Sequence, residues 1–157
     1  LDGVYKLVAI EDDSGRWVPA IKVSDTPEKI PIPGLKQVYR IIDRRGYATA
    51  DVVATADEAK PGDGRLVMHH PTREGVQRTL EPSEISSVKK LMKPVFRGTR
   101  LKTAGLAEMR SRREADVALL DPGVRRLVNP HLYHVSLTDD MKNLQRRLIR
   151  EARGGQG

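Results

Sequence analysis

The sequence contains no cysteine, so it can hold neither a disulfide framework nor a thiolate metal site. Aromatic residues are scarce: one Trp, one Phe and four Tyr among 157 residues. Base stacking needs exposed rings, so this scarcity weighs against a nucleic-acid reader. Trp17, Tyr5, Tyr39, Tyr47, Tyr133 and Phe96 lie mostly in apolar strand-like stretches, where core packing accounts for them. No apolar run approaches the length of a membrane span. A charged n-region, apolar h-region and small-residue cleavage site are also lacking, and the cytoplasm is the expected compartment. The first residue is Leu1, which fits a processed or truncated chain as well as a complete one.

What is present is the composition of a folded domain. Apolar residues make up 38% and charged residues 31%, and 157 residues suffice for one domain or two small ones. The net charge of +7 is uneven. Residues 1–60 carry nine Lys or Arg and ten Asp or Glu, whereas residues 61–157 carry nineteen and eleven. A basic second half could face a polyanion. Its charges are interspersed with acids, however, as on solvated helix faces.

The pattern predicts an α+β chain. Residues 1–60 read as β-hairpins. A strand over Val4–Ile10 is followed by the turn cluster Glu11–Gly15 and a return over Trp17–Val23. Pro27, Pro31 and Pro33 make an extended connector. Lys36–Asp43 and Tyr47–Ala54 form a second strand pair around Arg44-Arg45-Gly46. Residues 61–157 read as a mixed α+β region. It starts with a hairpin of Arg65–His70 and Val76–Leu80, followed by an irregular strand over Val88–Arg97 and a turn at Gly98–Arg100. Leu106, Met109, Val117 and Leu120 then fall near helical spacing up to Asp121-Pro122-Gly123. A final helix is expected over about 138–153, capped by Ser136 or Thr138, with a core-facing stripe of Met141, Leu144 and Leu148.

The chemistry-bearing residues are few. His69 and His70 are adjacent, so on a strand they face opposite sides and cannot share one site. His131 and His134 lack the further ligands a metal needs, and no metal site is expected. There is no nucleophile elbow and no Walker-type loop; Pro61-Gly62-Asp63-Gly64 lacks its spacing and its lysine. Lysines are more suggestive. Lys6, Lys22, Lys29 and Lys36 each lie in or beside a strand or its connector. Each is a compact cation with three donors, suited to phosphate. Adjacent hairpins could gather several around a polyphosphate; as an alternative, they are ordinary surface lysines.

The runs GVYKLVAIE, IKVSDTPEKI and IPGLKQVYRIID, followed later by PVFRGTRL, NPHLYHVSL and LIREAR, resemble the nicotinate phosphoribosyltransferase family. The resemblance covers nearly the whole chain, in order. It implies a C-terminal portion lying downstream of a β/α barrel, with the hairpins completing the domain beside it. That family makes nicotinate mononucleotide and pyrophosphate from nicotinate and phosphoribosyl pyrophosphate, coupled to ATP hydrolysis, for NAD synthesis. The resemblance implies ATP and phosphoribosyl pyrophosphate as substrates, with Mg, and a homodimer. The family's phosphorylated histidine, main ribose-phosphate loops and nicotinate pocket lie upstream of Gly3. No catalytic residue is therefore expected here, the chain alone should be inactive, and an apolar docking patch should be exposed. By the resemblance, Lys6, Lys22 and Lys29 match positions presenting cations toward phosphates, with Lys36, Gln37 and Arg40 as lesser candidates. Two other readings stay open: a free-standing basic nucleic-acid-binding module, and a non-catalytic subunit that docks on a separate barrel chain.

Overall fold

The computed structural model describes residues 5–94 and 104–154. Two short strands come first, β1 (Ala9–Glu11) and β2 (Trp17–Pro19), paired antiparallel. One carboxylate builds the turn between them. Asp12 Oδ1 accepts hydrogen bonds from the Ser14 hydroxyl and from the N–H groups of Ser14 and Arg16. The strands expected over 4–10 and 17–23 shrink to three residues each. A two-stranded ribbon with no buried residue has little to extend it. Tyr5 and Trp17 correct the core assignment of the aromatics: both are exposed, whereas Tyr39 is buried. Val4 and Phe96 lie outside the described residues.

A single turn of 3-10 helix (Pro27–Lys29) leads into the second part of the molecule. Six further strands make one sheet: β3 (Lys36–Asp43), β4 (Ala48–Thr55), β5 (Leu66–His69), β6 (Gln77–Leu80), β7 (Ile85–Lys90) and β8 (His134–Leu137). Two helices accompany it, α1 (Leu106–Ala118) and α2 (Asp139–Gly154). The strand order is β6-β5-β8-β4-β3-β7. The expected pairs β3–β4 and β5–β6 form as antiparallel hairpins. The strand expected over 88–97 is displaced to Ile85–Lys90, because Ser87 and Val88 pair with Ile42 and Ile41. Residues 95–103, including the expected turn at Gly98–Arg100, lie outside the described residues. Strand β8 was not foreseen, and it runs parallel to β4. Because the sheet takes strands from both sides of residue 60, a boundary there does not separate two sheets.

The topology forces this sheet to curl. Six flat strands spaced about 4.8 Å apart would put the outer strands about 24 Å from each other. The outer strands β6 and β7 are consecutive in sequence, and the steps from Leu80 to Ile85 can span at most about 18 Å. A 3-10 turn at Pro82–Glu84 shortens that link further. The two edges must therefore approach at that end. Inside the curl, Ile41, Ala50, Val52, Leu66, Met68, Leu80 and Ile85 form one buried cluster. Outside it, Val53 and Leu137 meet Met141 of α2, with Ile32, Val38 and Leu144 packed around them.

Helix α2 starts where the sequence places it. Thr138 is its N-cap: the hydroxyl accepts the Met141 N–H and donates to Glu58 Oε2 at 2.8 Å. Glu58 also accepts the Thr55 N–H, which ties the helix start to the end of β4. Met141 of the expected stripe is fully buried. Lys142 and Gln145 are buried beside it, which the stripe did not indicate. Helix α1 buries none of its residues.

Gly34 joins the two parts. Its φ is +76°, and a Cβ there would lie 3.3 Å from Leu144 Cδ2 and 3.5 Å from Pro19. Its N–H donates to the Val8 carbonyl at 2.7 Å. A glycine relieves both the backbone strain and the crowding.

Candidate functional site

The sequence scatters Lys6, Lys22 and Lys29 over two dozen residues, and the fold returns them to one place. All three line a cavity of 470 Å³ whose walls include Leu7, Ile21 and Pro31. The β1–β2 ribbon and the 3-10 turn bring the segments together. Lys6 Nζ donates to the Lys29 carbonyl at 3.1 Å across 23 residues of chain, which orients one ammonium. Among the described residues, none that lines the cavity is acidic. Three cations beside apolar walls make a field that concentrates anions. Each ammonium can turn several donors toward phosphate oxygens.

Lys36, Gln37 and Arg40 are not among the residues lining that cavity, and each has an internal partner. Lys36 Nζ donates to the Gly34 carbonyl at 2.8 Å, and burial pushes its pKa downward. Gln37 Oε1 accepts the Val38 and Met92 N–H groups, which holds the chain after β7 against β3. Arg40 forms a two-pronged ion pair with Asp51: Nε to Oδ1 and Nη2 to Oδ2, each at 2.9 Å. The Tyr133 hydroxyl donates to Asp51 Oδ1, also at 2.9 Å. That hydrogen-bonded carboxylate keeps Arg40 firmly charged. Burial first, and then the same carboxylate, push the Tyr133 phenol above its ordinary range. A plain hairpin turning at Arg44–Gly46 would set Arg40 opposite Ala50; the register shift between Ile41 and Ile42 brings Asp51 there instead, so the pair was not legible from the turn alone.

The histidines are held apart from the lysine cavity. His69 Nε2 meets Asp139 Oδ1 at 2.5 Å, while His70 Nδ1 accepts the Thr72 and Arg73 N–H groups. The His131 ring packs directly against Gly123, leaving no room for a Cβ there. Among the described residues, no three His, Asp or Glu side chains converge in a way that could hold a metal ion. No helix of the described residues is long and apolar enough to cross a membrane.

Sequence reading missed one polar cluster. Lys142 Nζ lies 3.3 Å from both the His70 and Pro71 carbonyls, 3.4 Å from Gln145 Oε1 and 3.6 Å from Glu74 Oε2. Arg146 grips Glu74 in turn, Nε to Oε1 at 2.8 Å and Nη2 to Oε2 at 2.9 Å. The cluster clamps the β5–β6 loop onto α2. The Arg146 hydrogen bonds hold the Glu74 carboxyl at about 2, against an ordinary 4.5. A folded value below the unfolded one means that the contribution is complete above pH 4.5. It is lost as the pH falls from there toward about 2. Solvent reaches much of this carboxylate, so the contribution stays below about 1 kcal/mol. Urea unfolding of Glu74→Gln should show a deficit at pH 6 that shrinks toward pH 2. An equal deficit at both would refute the linkage.

Comparisons with known proteins agree with one another. Residues 35–145 match the family model described as nicotinate phosphoribosyltransferase C-terminal domain. The nicotinate phosphoribosyltransferase of Bacillus subtilis (strain 168) is 31% identical over 156 residues, spanning 98% of this chain and 31% of the relative. The Bos taurus enzyme of that name is 32% identical over 152 residues, spanning 96% of this chain and 27% of the relative. Among solved structures, a crystal structure of human nicotinic acid phosphoribosyltransferase superposes with a TM-score of 0.63 at 26% identity, over 75% of this chain and 23% of that one. The chain thus spans less than a third of the length of these relatives. Its sequence, its family-model match and its fold all place it in the nicotinate phosphoribosyltransferase family, as that family's C-terminal domain.

Proposed function

We propose that this chain is the C-terminal part of a cytoplasmic, homodimeric nicotinate phosphoribosyltransferase, and that Lys6, Lys22 and Lys29 form a cationic wall for its polyphosphate substrate. The observation that carries this reading is the gathering of the three lysines around one cavity that no acidic side chain lines among the described residues. In the reaction the ribose C1 of phosphoribosyl pyrophosphate loses pyrophosphate and accepts the nicotinate nitrogen. Negative charge grows on the departing phosphates as that bond breaks, and fixed cations stabilise it. The three ammonium groups bind and orient those oxygens. By the family resemblance, ATP is the coupled substrate and Mg accompanies the phosphates, with ligands upstream of this chain. The groups that make and break bonds belong to the preceding part of the protein, so the 157-residue chain alone should form no nicotinate mononucleotide.

Titration with inorganic pyrophosphate at low ionic strength tests the cavity. Lys22→Ala and Lys29→Ala should each weaken binding by about tenfold, and added salt should weaken it further. Variants that bind pyrophosphate as tightly as the parent chain would sink the assignment. A nucleic-acid-binding module is not favoured, because the family match covers most of the chain.

A further inference from the structure

A cavity of 740 Å³ lies between helix α2 and the β1–β2 ribbon. Among the described residues, it shares no lining residue with the lysine cavity. Its size is that of a small-ligand site, which commonly occupies about 300–1,000 Å³.

Helix α2 gives this cavity two chemically different ends. Asp140 lines it from the first turn, Leu144 one turn on, and Arg147 and Arg150 beyond that. At about 1.5 Å per residue, the backbone positions of Asp140 and Arg150 are about 15 Å apart along the helix. A second carboxylate joins the acidic end, since Asp57 lines the cavity just after β4. Glu58 fixes that segment beside the helix start: its Oε2 accepts the Thr55 N–H at 2.7 Å and the Thr138 hydroxyl at 2.8 Å. Among the described residues, Asp57, Asp140 and Arg150 enter no ion pair, and Arg147 has only a loose one, at 3.9 Å to Glu151.

Between the two ends the walls are apolar. Gly34 sits between Leu144 and Pro19, which brings the ribbon over the middle of the helix. Trp17 lies two residues from Pro19, on the same face of β2, and lines the cavity while half-exposed. A reader of nucleic-acid strands needs several exposed rings, but a single base needs one.

We infer that this cavity binds a nucleoside monophosphate whose base carries an amino group, with AMP as the representative. The base lies against Trp17 and Leu144, its amino group donates to the carboxylates of Asp57 and Asp140, and the phosphate meets Arg150 and Arg147. A guanidinium offers phosphate a planar fork of donors, and an indole face suits a base. A plain polyanion fits poorly, because the two carboxylates repel it. An apolar molecule would leave three charges without partners. The ligand touches both the ribbon that carries the lysines and the helix that packs on the sheet, so its binding couples the two parts. The site does not depend on the transferase reading, and AMP is not among the substrates proposed above.

Trp17 is the one tryptophan of the chain, so its fluorescence reports on this cavity directly. Titration of the 157-residue chain with AMP should change the emission to saturation. Adenosine lacks the phosphate, ribose 5-phosphate lacks the base, and IMP has a carbonyl in place of the amino group. Each should bind at least about tenfold more weakly than AMP. Arg150→Ala should weaken AMP about tenfold and leave adenosine unchanged. Arg150 is exposed, so its loss leaves the fold intact. Calorimetric titration supplies the same constants without relying on the indole. The absence of saturable AMP binding would overturn the inference, as would IMP binding as tightly as AMP. Inorganic phosphate with the affinity of AMP would also end it, since the cavity would then read charge alone. AMP binding that is lost in Lys22→Ala and kept in Arg150→Ala would place the nucleotide among the lysines and refute the site.

Discussion

Replacing Asp51 by alanine should lower the melting temperature of this chain by about 6–12 °C. The Asp51 side chain is 14% exposed and that of Arg40 17%. Asp51 accepts two hydrogen bonds from Arg40 and one from Tyr133. Without it, a largely buried guanidinium keeps its charge and loses its hydrogen-bonded partner, and the Tyr133 hydroxyl loses its acceptor. The other carboxylate near Arg40 is Asp116 at 4.0 Å, half-exposed and therefore a weak substitute. Breaking one side of a buried pair costs about 3 kcal/mol. For a domain of this size each kcal/mol moves the midpoint by about 2–4 °C. Replacing both partners, as in Arg40→Met with Asp51→Leu, should recover much of the loss, because no unpaired charge remains. Scanning calorimetry decides the matter. An Asp51→Ala midpoint within about 2 °C of the parent would show that the pair is a surface ornament.

Lys142→Ala should cost about 2–3 kcal/mol, read as a shift in urea midpoint with an unchanged slope. The Lys142 side chain is 6% exposed, and its ammonium serves two backbone carbonyls, Gln145 and Glu74. Alanine leaves those acceptors without a donor and opens space where a nearly buried side chain had been. The more exposed Glu74 keeps Arg146, so the penalty stays below that of a fully stranded pair. Lys142→Met fills the volume without the donors and should fall between alanine and the parent. The same variants should speed amide exchange in the 70–76 loop, since the clamp there is lost. A Lys142→Ala protein as stable as the parent would mean that the ammonium finds water elsewhere and the cluster is incidental.

Where sequence reading succeeded, the relevant contacts are short-range. The alternation in β3 and β4, the turn chemistry at Arg44–Gly46 and the hairpin β5–β6 all involve strands that are adjacent in sequence. The Thr138 cap and Met141 follow from helical spacing alone. Where it fell short, the partners are remote. Strand β8 is four residues long and pairs with β4, more than eighty positions earlier, in a parallel register no local pattern encodes. Lys142 reads as a solvated cation because lysine is seldom buried, and its acceptors lie about seventy residues away. Arg40 reads as a phosphate candidate by type alone, while its strand register commits it to Asp51.

By itself the sequence determined the α+β class, most element positions, the family and the three lysines worth testing. Hydrophobic period, turn residues and motif order are properties of contiguous residues and survive without coordinates. Only the tertiary structure decided that those lysines share one cavity, that Arg40 is used by the fold, and that Lys142 is buried against the β5–β6 loop. Each of these depends on which distant segments meet, and the curl of the six-stranded sheet and the packing of α2 set that.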